Sequence, residues 1–93
     1  MKFIEAVMQM RDGIHRAHNF MRANGGAVTY VGVGEAKHLA ETEIVRVTRD
    51  DMEEYLETNG ADFRDLEKLY GEYNAFAKTT DGNTYFAWYD YDR

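Results

Sequence analysis

Three histidines, seventeen acids and a lack of the usual nucleophiles set the range of chemistry open to this 93-residue chain. His15 and His18 stand three apart around Arg16, so on a helix both imidazoles could meet one metal ion. His38 is the only other histidine, and with no cysteine a closed zinc site lacks its remaining ligands. No metal is expected. Serine is absent too, so a nucleophile would have to be Thr, Tyr, Lys or a carboxylate, and none stands in an activating motif. Acid/base work needs a buried or coupled carboxylate pair with a shifted pKa, whereas most acids here fall on helix faces expected to be solvated. Gly32-Val33-Gly34 lacks the third glycine of a dinucleotide loop and the Gly-Lys-Ser/Thr end of a P-loop, and reads as a strand-end turn. A protein that is not an enzyme and carries no cofactor is expected.

Binding chemistry is better supplied. Tyr85, Phe86, Trp88, Tyr89 and Tyr91 crowd one segment, placing Tyr85, Tyr89 and Tyr91 on one strand face and Phe86 and Trp88 on the other. Only one face is needed for a core, so the surplus rings suit a subunit interface or a flat ligand. Between Asp50 and Glu72, nine acids stand against Arg64 and Lys68. Such a run is either a solvated pair of helix faces or an acidic surface that docks on a basic groove.

The elements that must position these residues follow from local signals. Phe3, Ile4, Val7, Met8 and Met10 repeat at helical spacing before Gly13, which predicts a helix over 3–12. Asn24-Gly25-Gly26 marks a turn, and strands are predicted at Ala27–Val33 and Thr42–Thr48, the second with Val45 and Val47 on its apolar face. Thr48 and Asp51 form a capping arrangement for a helix over 49–58, closed by Asn59-Gly60. Asp62 caps another helix, whose Phe63, Leu66, Leu69 and Tyr70 line one side and which Gly71 ends. Asp81-Gly82 predicts a type I′ turn that aligns Tyr73–Thr79 against Thr84–Asp90 as a terminal β-hairpin. The expected class is α+β, a small antiparallel sheet with helices packed on one face, in a single domain over 1–93.

Net charge is −6, and it is uneven: residues 1–38 hold five Lys/Arg against three acids, residues 39–93 six against fourteen. A negative domain repels phosphate backbones, so direct nucleic-acid binding is not expected. No apolar run approaches the ~20 residues that span a bilayer, no basic-then-apolar leader opens the chain, and the absence of cysteine fits the cytoplasm. A domain this small buries only about 60% of its unfolded surface, so self-association would help it.

At both ends the sequence resembles a family of small phage proteins that includes the Thoeris anti-defence sponges and a Cas9-inhibiting anti-CRISPR. Phe3, Ala6, Met10, Gly13, Arg16 and Asn24-Gly25 match the family's opening pattern, with Ala23 in place of its tryptophan. Lys78-Thr79-Thr80-Asp81-Gly82 and Trp88 match its later run, while residues 35–72 lie outside the resemblance. The resemblance implies a non-enzymatic counter-defence protein of the host cytoplasm. It would act as a homo-oligomer sequestering a nucleotide signal of cyclic ADP-ribose type, or as an inhibitor of a CRISPR effector. Arg16, Asn24, Tyr85 and Trp88 are the expected ligand contacts, with the guanidinium on a phosphate and a ring stacked on a base. The alternative is an acidic interaction module in which Asp50, Asp51, Glu53, Glu54 and Glu57 engage a basic host protein, in the manner of a nucleic-acid mimic.

Overall fold

The computed structural model describes residues 1–91. Five strands, β1 (Met21–Asn24), β2 (Ala27–Tyr30), β3 (Ile44–Arg46), β4 (Ala75–Thr79) and β5 (Thr84–Trp88), form one antiparallel sheet in the order β2-β1-β5-β4-β3. The α+β class is as expected, and the terminal hairpin lies at the sheet's centre. The helices, however, cover both faces. α1 (Phe3–Met8), a 3-10 helix (Gly13–Asn19) and α2 (Val33–Leu39) pack on one side, where Phe3, Phe20, Phe86 and Trp88 meet Ala75 and Ala77. α3 (Arg49–Thr58) and α4 (Phe63–Gly71) pack on the other, where Met52, Leu56 and Leu69 meet Met21, Phe76 and Ala87. Side chains alternate across a strand, so Ala-Phe-Ala in β4 and Phe-Ala-Trp in β5 give the centre two apolar faces, each needing a layer.

The local signals account for the helix termini. In α3 the Thr48 hydroxyl accepts from the Asp51 N–H at 3.1 Å while the Asp51 carboxylate accepts from the Thr48 N–H at 3.0 Å, and the helix starts at Arg49 and ends at Thr58. Asp62 caps α4 by accepting from the Arg64 N–H at 2.9 Å. Along α4 only part of the predicted stripe is buried: Leu69 is enclosed, whereas Phe63 and Tyr70 are 70% and 59% exposed. α1 stops at Met8 rather than Asp12, because Asp12 (φ 69°) and Gly13 (φ 52°) are both left-handed and turn the chain into the 3-10 helix.

Other expectations need correction. β2 ends at Tyr30, and residues 33–39 form α2, held by the buried Ala36 and by an ion pair of Glu35 with Arg22 of β1. In β3 the faces are reversed: Ile44 is fully buried and Val45 is 40% exposed. The Arg46 guanidinium lies 4.7 Å from the Trp88 ring centroid, so a charged residue covers the apolar side with its stem and cation. The hairpin has the predicted alignment, Ala75 opposite Trp88 and Lys78 opposite Tyr85, but its turn is not type I′. Only Gly82 has a positive φ, and Asp81 instead accepts from the Asn83 N–H (2.9 Å) and the Thr79 hydroxyl (2.6 Å). Those bonds hold the aspartate side chain to its own loop, as short polar side chains do in turns.

Candidate functional site

Tyrosines from three separate segments converge on a cleft of about 340 Å³ at the end of the sheet, lined by Arg16, His18, Asn19, Tyr30, Glu72, Tyr73, Tyr89 and Tyr91. The 3-10 helix supplies Arg16, His18 and Asn19, the end of β2 supplies Tyr30, and the chain leaving α4 supplies Glu72 and Tyr73. Asn74 fixes the remaining wall. Its N–H donates to the Trp88 carbonyl (3.1 Å), its side-chain amide donates to the Asp90 carbonyl (3.0 Å), and its side-chain oxygen accepts from the Asp90 N–H (2.7 Å). The segment beyond β5 is thereby tied back, with the Tyr89 and Tyr91 rings edge to face at 4.8 Å.

The polar groups are arranged asymmetrically. Lys68 of α4 donates to the Tyr30 hydroxyl at 2.7 Å, and the Tyr73 hydroxyl approaches the same oxygen at 3.5 Å. The Lys68 ammonium, and after it Tyr73, hold the Tyr30 hydroxyl below the usual tyrosine range, while burial, and after it the bond to Tyr30, pushes Tyr73 up. Arg16 pairs with Asp12 at 3.4 Å on the exposed side of its helix. A smaller hollow of about 220 Å³, bounded by Arg11, Arg16 and Tyr91, shares two residues with the cleft. Two guanidinium groups therefore flank Tyr91. The cleft falls within the ~300–1,000 Å³ that small-molecule sites occupy, and it combines rings for stacking with a cation able to bind an anionic group in a forked geometry.

The four ligand contacts expected from the sequence do not share a site. Arg16 is in the cleft, but Trp88 is 1% exposed and stacked on Phe20 at 4.6 Å within the core, so no ligand reaches it. Its alternation partner Tyr89 faces outward and lines the cleft instead. Tyr85 lies on the opposite face of β5 from Trp88, stacked on Tyr55 of α3 at 4.0 Å. It borders a shallow hollow of about 390 Å³ with Asp51, Glu54, Thr58, Asn59 and Lys78. Asn24 is exposed at the end of β1, where the adjoining Gly25 N–H donates to the Tyr55 hydroxyl at 2.6 Å. Tyr30 and Tyr73 carried no local motif; only the excess of tyrosine in the composition pointed to them.

Of the five acids, Asp50, Glu53, Glu54 and Glu57 recur at helical spacing on the outer side of α3, and Asp51 is turned to its capping bond. Glu53 accepts from the Tyr70 hydroxyl of α4. Among the described residues, none of these carboxylates makes an ion pair, no three His, Cys, Asp or Glu side chains converge as a metal site, and no helix is long and apolar enough to cross a membrane. Comparison with known protein families, with characterised proteins and with solved structures finds no significant match for the chain.

Proposed function

We propose that this protein acts by binding, not catalysis, and takes a small planar anion of nucleotide type in the tyrosine cleft. The observation that carries this is the presence of Arg16 in one 340 Å³ cleft with Tyr30, Tyr73, Tyr89 and Tyr91. Rings accept a base without needing its edges, and a guanidinium matches a phosphate in two hydrogen bonds. In the setting that the phage resemblance implies, the protein is a counter-defence factor of the host cytoplasm that sequesters a nucleotide immune signal. Calorimetric titration with ADP-ribose and cyclic ADP-ribose isomers tests this. Arg16→Ala should weaken binding about 10- to 100-fold, the equivalent of ~1.5–3 kcal/mol for a charge-assisted bond. Saturable binding indifferent to Arg16→Ala and Tyr89→Ala, or no binding at all, would remove the proposal.

A second reading is favoured by the outer face of α3, where Asp50, Glu53, Glu54 and Glu57 make no ion pair among the described residues. Here the protein inhibits a host defence protein, such as a CRISPR effector, by docking on its basic surface. Reversal of three of these charges to Lys should then slow association steeply at low ionic strength and leave nucleotide binding unchanged.

A further inference from the structure

The two edges of the sheet differ. The β3 edge is closed by the start of the chain: Lys2 bridges to Glu43, the Ile44 N–H donates to the Met1 carbonyl at 2.8 Å, and the Met1 amine donates to the Ile44 carbonyl at 3.1 Å. Along β2, among the described residues, no backbone hydrogen bond covers the outer edge. The Val31 N–H donates to the Phe20 carbonyl at 3.0 Å, and by the alternation of an antiparallel ladder Thr29 also turns its backbone groups inward. The N–H and C=O of Val28 and Tyr30 therefore point out from the free edge. Natural sheets blunt such edges with Lys, Pro, bulges or a covering segment. The strand itself supplies no such charge or proline: from Ala23 through Gly34 the chain holds neither, although 30% of the whole sequence is charged.

We infer that the open edge of β2 pairs antiparallel with β2 of a second copy of this chain, joining two sheets across a two-fold axis at Thr29. Self-pairing is favoured over a foreign peptide by complementarity. Each copy carries −6, so most surfaces of the two copies repel, whereas no residue of β2 is itself charged; the cations bonded to it are held within their own copy, Arg22 on Thr29 with its charge paired to Glu35, and Lys68 on the Tyr30 hydroxyl. The outward groups of Val28 and Tyr30 fix the register, since only Val28 opposite the partner's Tyr30, and the reverse, closes both sets of donors and acceptors at once. Thr29 then faces its own copy as a pair without direct backbone bonds, and the half-exposed Tyr30 is covered on one side. Because Tyr30 also lines the cleft, association shields one wall of that site. The inference stands whether or not the cleft takes a nucleotide.

The absence of cysteine makes the test clean. Facing residues of this pair type lie about 4.5 Å apart at Cα, within the ~4.4–6.8 Å that a disulfide spans. Thr29→Cys is therefore expected to give a covalent dimer on mild oxidation, seen on a non-reducing gel and lost with reductant. Sedimentation of the wild type should show a concentration-dependent dimer, tightened by added salt because the joined strands are uncharged and the bodies repel. Thr29→Lys should be monomeric with an unchanged circular dichroism spectrum; if it fails to fold, the cysteine variant decides. A wild type that is monomeric at all concentrations, or a dimer that Thr29→Cys does not cross-link, would overturn the inference.

Discussion

Replacement of Trp88 separates a core residue from a ligand contact. The indole is 1% exposed, lies against Phe20 with the ring planes 21° apart, and is covered by Arg46 on its solvent side. A tryptophan buries roughly 150–250 Å², which at ~25 cal/mol per Å² is about 4–6 kcal/mol as an upper bound. Measured losses for Trp→Ala in cores run ~3–5 kcal/mol, because neighbours close part of the cavity. A 93-residue domain at ~0.05–0.15 kcal/mol per residue holds about 5–14 kcal/mol in all, so Trp88→Ala should remove roughly a fifth or more of it. Urea unfolding followed by circular dichroism measures the loss, and Trp88→Phe, which keeps a ring against Phe20, should lose less. Trp88 is the only tryptophan, so native fluorescence reports on it alone. It should be blue-shifted and resist acrylamide quenching. A loss under about 1 kcal/mol for Trp88→Ala, or quenching as efficient as in the unfolded chain, would refute its place in the core.

Gly26 approaches α3 so closely that an added Cβ would stand 2.4 Å from the Asn59 carbonyl oxygen, so Gly26→Ala should cost ~1–3 kcal/mol by steric overlap, read from the shift in urea midpoint. Gly34→Ala is the control: with nothing within 4 Å and a place in α2, it should stabilise by about 0.5–1 kcal/mol, and equal effects at both sites would discredit the close approach. The Asp51 carboxylate is held below its ordinary range by its bonds to the Thr48 backbone N–H and then its hydroxyl. A depressed folded pKa adds stability above the unfolded value of ~3.9 that is lost as pH falls through the folded one. Asp51→Ala should therefore be less stable than wild type near neutrality, with the difference closing below about pH 4; a gap independent of pH would exclude this role for the carboxylate.

Signals that act over a few neighbouring residues were legible in the sequence. The Thr48–Asp51 capping pair and the Asn59-Gly60 stop set α3 to the residue, Asp62 and Gly71 bounded α4, and the Asp81-Gly82 loop set the alignment of β4 with β5. The surplus of rings in β5 was visible too, but not that it served a second helical layer. Elements held by tertiary contacts were not legible: β1 is a four-residue strand between β2 and β5, and α2 is a seven-residue helix containing glycine, stabilised through Ala36 and the Glu35–Arg22 pair. Isolated segments of that length are marginal, so their state is decided by what they pack against. The same holds for the cleft. Arg16 and Tyr30, Tyr73, Tyr89 and Tyr91 are scattered along most of the chain and meet only because the β2-β1-β5-β4-β3 order brings the 3-10 helix, the end of β2 and the exit of β5 to one end of the sheet. Sequence decided which rings exist and the local conformation around each; the sheet order, set by burial of both faces, decided which of them face one another.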